Sequence, residues 1–315
     1  MDRTSKIYVA GHRGLVGSAV VRRLRAGGYA NLVLRTHGEL DLERQEQVEE
    51  FFSAEKPDCV ILAAALVGGI GANAGYPADF IARNIAIALN VIESARRFGV
   101  GKLMNLGSSC IYPRLAPQPI REEHLLTGPL EPTNEPYAIA KIAAIKMCSA
   151  FNRQYGTDFM SLMPNNLYGP GDNYDLERSH VLPALIRKFH EAKASGSDRV
   201  TLWGDGSPLR EFLYSDDLAD AVVFLMERCT VAKAGELLNV GTGEELSIKA
   251  LAELTRAVVY EDSPGRSCEV QWDAARPNGT PRKLLDVGRL TALGWRTKTP
   301  LSRGIRAAYR DFLTR

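Results

Sequence analysis

Lys6–Ala10 is a short β-rich run. Gly11, His12, Arg13, Gly14, Leu15, Val16 and Gly17 follow it at once, and Ser18–Leu24 then reads as an amphipathic helix. A strand that feeds a glycine-rich turn and then a helix commits the chain to an α/β fold, with the helix returning it to a parallel strand. The glycines let the backbone turn tightly and come close to a pyrophosphate, which then rests on the helix N-terminus. The spacing is Gly-x-x-Gly-x-x-Gly, a variant of the dinucleotide-binding pattern. Three glycines also make plain tight turns. Their place, directly after a strand and before an amphipathic helix, is what favours a nucleotide.

The alternation continues. Asn31–Arg35 reads as a second strand, Cys59–Ala65 as a third, Lys102–Leu106 as a fourth and Phe159–Met163 as another, with a long helix over Pro77–Phe98. Continuous apolar strands between helices predict an α/β, Rossmann-type doubly wound parallel sheet. In such sheets ligands bind beyond the carboxyl ends of the strands. Leu106, Gly107, Ser108 and Cys110 lie at one such end; Pro164, Asn165, Asn166 and Leu167 lie at another. An Asp or Glu usually closes the second strand when the ribose 2′-hydroxyl of NAD is bound. Here the residues are Arg35, Thr36 and His37, with Arg13 in the glycine turn. A cationic setting suits a 2′-phosphate, so NADP(H) is expected; the alternative is that Arg13 and Arg35 are solvated surface charges.

A helix is expected over Ala138–Ser149, with Pro136 in its first turn, where a missing N–H costs nothing. Tyr137 and Lys141 then lie one turn apart on one face. An ammonium beside a phenol favours phenolate, so Tyr137 is a candidate proton donor and acceptor. Tyr-x-x-x-Lys alone is a weak signal, because a half-buried Tyr beside a solvated Lys is common. Its weight comes from convergence: the glycine turn, Ser108, Tyr137 and Lys141 can meet at one edge of one sheet. Reducing a ketone requires a proton for the forming alkoxide, which Tyr137 can deliver while Ser108 holds the same oxygen.

The 315 residues suffice for a large core, in two lobes on one body. A net charge of +2 marks the chain for neither nucleic acid nor an anionic membrane, and no apolar run reaches spanning length. Five scattered cysteines, with no Cys-x-x-Cys pair, point to reduced thiols, no disulfide frame and no metal site. The chain enters its first strand almost immediately, leaving no room for a signal peptide, so a cytoplasmic protein is expected.

Five segments carry a family resemblance: Gly11–Ser18, Leu106–Pro113, Leu130–Tyr137, Asn165–Pro170 and Arg210–Leu213. Together they resemble the extended short-chain dehydrogenase/reductase superfamily. Within it the match is to the GDP-L-fucose synthase family, 3,5-epimerase-4-reductases of GDP-4-keto-6-deoxy-D-mannose. The likeness spans nearly the whole chain. It implies that Ser108, Tyr137 and Lys141 serve reduction, with Cys110 as base and His180 as acid for inversion at C3 and C5. A C4 ketone acidifies both positions. A thiol and an imidazole, with reference pKa values of about 8.5 and 6.5, can exchange acid and base roles near neutral pH. Without the resemblance, an inert buried thiol and a structural histidine are the ordinary readings.

The resemblance also implies that residues 1–171, joined by 214–240, hold NADP(H), and that residues 172–213 and 241–315 mainly hold the nucleotide sugar. Besides the residues of the glycine turn, Arg35, Leu106, Gly107, Ser108, Tyr137, Lys141, Pro164–Leu167 and His180 are the implied cofactor contacts. Lys188, Trp203, Arg210 and Asn278 are the implied substrate contacts, with Lys283 a weaker candidate. Two positions depart from the family pattern. His37 replaces a second Arg near the 2′-phosphate. Asn278 stands where an Asp would meet guanine, which leaves another nucleotide-sugar reductase or epimerase open as an alternative. A non-catalytic NADP-binding protein is a further alternative, against which the joint presence of Ser108, Tyr137 and Lys141 argues. Helices over Pro77–Phe98 and Tyr137–Tyr155 carry apolar residues on more than one face, and with the resemblance they predict a homodimer.

Overall fold

Five of the apolar runs form parallel strands of one sheet. The computed structural model describes residues 1–176, 179–276 and 278–315, with only the backbone of Ile70. β1 (Ile7–Ala10), β2 (Leu32–Val33), β3 (Cys59–Leu62), β4 (Lys102–Leu106) and β5 (Phe159–Pro164) are joined at the far edge by Leu237–Val240. The spatial order is Leu237–Val240, β5, β4, β3, β1, β2. The order therefore reverses beside β1, where β2 lies on one side and β3 on the other. The loops leaving the carboxyl ends there bound a crevice.

Helices cover both faces. Ile7, Val9 and Ile61 pack with α1 (Leu15–Ala26) and with Ser215–Arg228. Tyr8, Val60 and Leu62 pack with α2 (Gln45–Glu55), Pro77–Arg97 and Glu135–Tyr155. Alternate residues of a strand face opposite sides, so burial on both sides requires the unbroken apolar runs seen in the sequence. Among the remaining helices of this half, α3 is Ile70–Gly75, α4 is Pro77–Arg97 and α5 is Glu135–Tyr155.

A second core lies beyond β5. It joins α6 (Val181–Ser195) to the helices Ile248–Val259 and Leu301–Phe312. Four short strands lead through it: β6 (Asn166–Tyr168), β7 (Arg199–Trp203), β8 (Leu209–Arg210) and β9 (Phe212–Tyr214). β6 pairs with β9, and β8 lies between Leu246–Ser247 and Arg282–Lys283.

Several expected boundaries shift. The second strand is Leu32–Val33 rather than Asn31–Arg35, because edge strands are short and Arg35 folds its guanidinium back onto the Leu34 carbonyl. The third strand stops at Leu62, and Ala63–Ala65 line the crevice instead. β8 and β9 are separated only by Glu211, where the backbone breaks from strand geometry. Ser215–Arg228 (α7) starts after Tyr214 with no side-chain cap. Asp217, in its first turn, accepts the Lys298 and Thr299 N–H groups. The helix α2 was not foreseen, although Val48, Phe51 and Phe52 recur at helical spacing on its buried face.

Candidate active site

A cavity of about 1260 Å³ opens at the carboxyl ends of β1, β3, β4 and β5 and runs on between the two cores. Every site residue expected from sequence lines it except Gly17. Gly17 sits behind the wall, where an added Cβ would lie 2.1 Å from the Gly11 carbonyl oxygen. Gly11 itself has φ +78°, and a Cβ there would lie 2.7 Å from the Ala64 nitrogen. The first turn of α1 holds no acidic residue and its N-cap makes no side-chain bond. Its leading N–H groups therefore face the cavity with no capping side chain, as a pyrophosphate requires. The cradle fits a dinucleotide.

The adenosine end is more mixed than the sequence suggests. Arg13 is exposed at the rim, whereas Arg35 is tied to Glu55 and stacks over Phe51 at 5.7 Å. Glu39, missed as an acid near this strand end, accepts hydrogen bonds from the Thr36 N–H and hydroxyl, both at 2.7 Å. His37 is exposed, with Nδ1 3.9 Å from Asp41. Arg13 is thus the cation with fewest other commitments at this rim.

Deeper in, α5 presents Tyr137 and Lys141 one turn apart, as the spacing predicts. Pro136 occupies the first turn of the helix, and Phe80 from α4 meets the Tyr137 ring edge-on at 6.1 Å. Lys141 is buried, and its Nζ donates to the Leu106 carbonyl at 2.9 Å. That ammonium stands 5.8 Å from the Tyr137 ring centre. Burial pushes Lys141 down to about 8. Burial also raises the Tyr137 phenol well above its usual range, with the nearby Cys110 adding to the rise. The expected lowering of the phenol by Lys141 is therefore not met, because desolvation outweighs a charge turned toward a carbonyl. Tyr137 rests protonated, which suits a proton donor.

Ser108 lies two residues past β4 and caps the turn Ser109–Ile111, its hydroxyl accepting from the Cys110 N–H at 3.4 Å. Burial holds the Cys110 thiol above its usual range, while Ser108 and the ammoniums of Lys283 and Lys141 pull the other way. His180 lies just before α6 and is exposed to the cavity, yet the enclosing walls push its imidazole below its usual range. Thiol and imidazole therefore both rest uncharged, rather than poised for exchange near neutrality.

The far end is cationic. Arg210 on β8 is in register with Lys283 on the neighbouring strand. Desolvation lowers both side chains' proton affinity, and no nearby carboxylate acts on Arg210. Glu131 acts on Lys283, but among the described residues neither cation is held in a salt bridge, and two enclosed cations side by side match a diphosphate. Lys188 reaches the same wall but donates to the Thr201 carbonyl at 2.9 Å. Trp203 is 58% exposed, with Arg276 5.0 Å from its ring centre. The Asn278 side-chain oxygen accepts from the Asp205 N–H at 3.0 Å.

Residues 7–241 match the NAD dependent epimerase/dehydratase family. A "Putative GDP-L-fucose synthase 2" of Arabidopsis thaliana is 59% identical over 99% of this chain and 93% of its own length. The chain belongs to this family, in its GDP-L-fucose synthase branch. A "GDP-L-fucose synthase" of Escherichia coli K12 is 51% identical over 98% of this chain and 96% of its own length. The solved "MlghC, GDP-mannoheptose C4 reductase from Campylobacter jejuni with NADP bound" is 39% identical, covers 99% of each chain and superposes with a TM-score of 0.90.

Proposed function

We propose that this protein is an NADPH-dependent enzyme that inverts C3 and C5 of GDP-4-dehydro-6-deoxy-D-mannose and reduces its C4 ketone, forming GDP-L-fucose. The observation that carries the reading is the single cavity. Its walls include Ser108, Tyr137 and Lys141 as well as Cys110 and His180, and the Arg210–Lys283 cation pair lines the same cavity, which supports the reading. Residues 1–171 with 214–240 hold the cofactor; residues 172–213 and 241–315 hold most of the nucleotide sugar. The glycine cradle and Arg13 bind NADP(H), with Arg35 contributing where Glu55 leaves it free. NADPH, when bound, supplies the hydride for C4.

The chain's own groups handle the protons. A neutral thiol plus a neutral imidazole holds as many protons as a thiolate plus an imidazolium. Moving one proton from Cys110 to His180 therefore creates a base and an acid without change of net charge. Ser108, Lys141 and Lys283 favour that redistribution by stabilising the thiolate. Cys110 then removes the acidified hydrogen, and His180 returns a proton to the opposite face. The enolate oxygen at C4 is held by Ser108 and Tyr137. The same Tyr137 hydroxyl later protonates the C4 alkoxide, which its resting protonation permits. Arg210, Lys283 and Lys188 hold the diphosphate, and Trp203 packs at its rim.

The described residues hold no helix long and apolar enough to cross a membrane. All five cysteines are free thiols, which supports a cytoplasmic setting. Nucleic acid and membrane are not among the partners we assign; a second copy of the chain is. A second reading, a reductase or epimerase of a sugar linked to another nucleotide, is favoured by one observation. Asn278 spends its side-chain oxygen on Asp205 and has no second carboxylate oxygen for guanine.

The deciding experiment mixes the protein with NADPH and GDP-4-keto-6-deoxy-D-mannose. NADPH loss with GDP-L-fucose formed is the expected result. NADPH loss with an unepimerised sugar would leave a reductase. No oxidation, with GDP displaced by UDP in competition, would overturn the substrate assignment.

A further inference from the structure

The strand break at Glu211 has no counterpart in the cofactor or proton chemistry above. Glu211 is 0% exposed. One carboxylate oxygen accepts from the Thr242 N–H at 2.6 Å, the Gly243 N–H at 2.8 Å and the Thr242 hydroxyl at 3.3 Å. The other accepts from the Asn165 amide at 2.8 Å and the Leu285 N–H at 3.1 Å. The donors come from three separate segments, leaving β5, Leu237–Val240 and Arg282–Lys283. A Cβ on Gly241 would lie 2.1 Å from this carboxylate, so the backbone approaches as closely as a glycine allows.

Asn165 extends the link. Its amide also donates to the Lys283 carbonyl at 3.2 Å, and its oxygen accepts from the Ser109 hydroxyl at 3.1 Å. A buried path thus runs from Ser109, next to Cys110, through Asn165 to Glu211, next to Arg210, with Lys283 on the same path. We propose that Glu211 is a positioning residue that fixes Cys110 relative to the Arg210–Lys283 pair, and so sets the sugar ring against the thiol while its diphosphate is held. The proposal rests on the roles given above to Cys110 and the two cations.

A carboxylate is required because only donors converge. Glutamine would turn its NH₂ group toward N–H donors on one side, and an apolar residue would orphan all of them. A charge buried with no cation against it is expensive, and packing alone would be served more cheaply by apolar residues.

Glu211→Gln is the first test, with GDP as probe and NADPH as control. We expect GDP affinity to fall roughly tenfold or more, because the cation pair is displaced. NADPH affinity should stay within about twofold, since the glycine cradle is remote. Iodoacetamide alkylation of Cys110, followed by peptide mass mapping, should need a pH about half a unit higher as Lys283 withdraws from the thiolate. Parallel losses of GDP and NADPH binding, or no change in either, would overturn the proposal. Should that variant not fold, Ser109→Ala cuts only the link to Asn165. It should raise the alkylation pH while GDP still binds; an unchanged profile would sink the idea. Alkylation needs no turnover, so this result stands apart from failure of the wild-type protein to convert the GDP sugar.

Discussion

Lys141 shows what burying a charge does to stability. Its pKa falls from the ordinary lysine range to about 8 because its ammonium is buried. The unfolded chain keeps that proton to about pH 10.4, so between the two values the unfolded state binds more protons and stability rises with pH. Below the folded value the charge is buried at full cost, on the order of 3 kcal/mol. Lys141→Met should therefore raise the melting temperature by several degrees at pH 7 and by clearly less at pH 9.5, while NADPH oxidation falls roughly a hundredfold or more. Melting curves across that range check the sign. An equal gain at both pH values would mean that burial of the charge is not the cause. At the other end of the cofactor site, Arg35 is drawn off by Glu55, and our proposal gives the 2′-phosphate preference to Arg13. Arg13→Ala should raise KM for NADPH about tenfold and leave KM for NADH nearly unchanged. A matched rise in both would transfer the selectivity elsewhere.

The element that organises the site is the β1–turn–α1 unit, and it is also where sequence and structure agree best. Glycine at 11, 14 and 17 was legible as a cradle because spacing and context both constrain it. Tyr137 and Lys141 were legible because helical periodicity alone puts them on one face. What spacing could not convey was environment. It could not show that Lys141 turns to the Leu106 carbonyl, that Glu55 claims Arg35, or that Glu211 gathers donors from three distant segments. Those facts depend on contacts between residues far apart in the chain. Likewise Cys110 and His180 entered only through family likeness, since a thiol and an imidazole carry no periodic signal. The close contact behind the cradle leads to a prediction for the whole unit. A methyl at Gly17 would strike the Gly11 carbonyl, so Gly17→Ala should push α1 away from the turn. We expect about 1–3 kcal/mol of destabilisation and NADPH binding weakened more than tenfold, roughly, with GDP binding retained. Titration of both nucleotides tests this; loss of GDP binding alone would contradict it.

At the scale of the molecule, α4 and α5 each have a buried face and an outer face. Phe80, Ile87, Val91 and Ile92 of α4, with Ala144 and Cys148 of α5, pack inward. On their outer faces Leu89 is 46% exposed and Ile139 40% exposed, with Tyr155 exposed beyond them. Single exposed apolar residues are ordinary, but exposed apolar residues on both of two helices that pack against each other fit a packed helical interface. Ile139 is also two residues from Tyr137, on the opposite side of α5. A partner seated there would brace the helix that holds Tyr137. The protein should therefore run in solution at twice its 34.5 kDa chain mass. Leu89→Asp combined with Ile139→Asp would place two carboxylates in that interface, costing several kcal/mol, and should yield a folded monomer at micromolar concentration. Light scattering coupled to gel filtration reads the mass directly, and circular dichroism confirms the fold. A wild-type monomer, or a dimer that survives both aspartates, would place the contact surface elsewhere and leave α5 braced by its own chain alone.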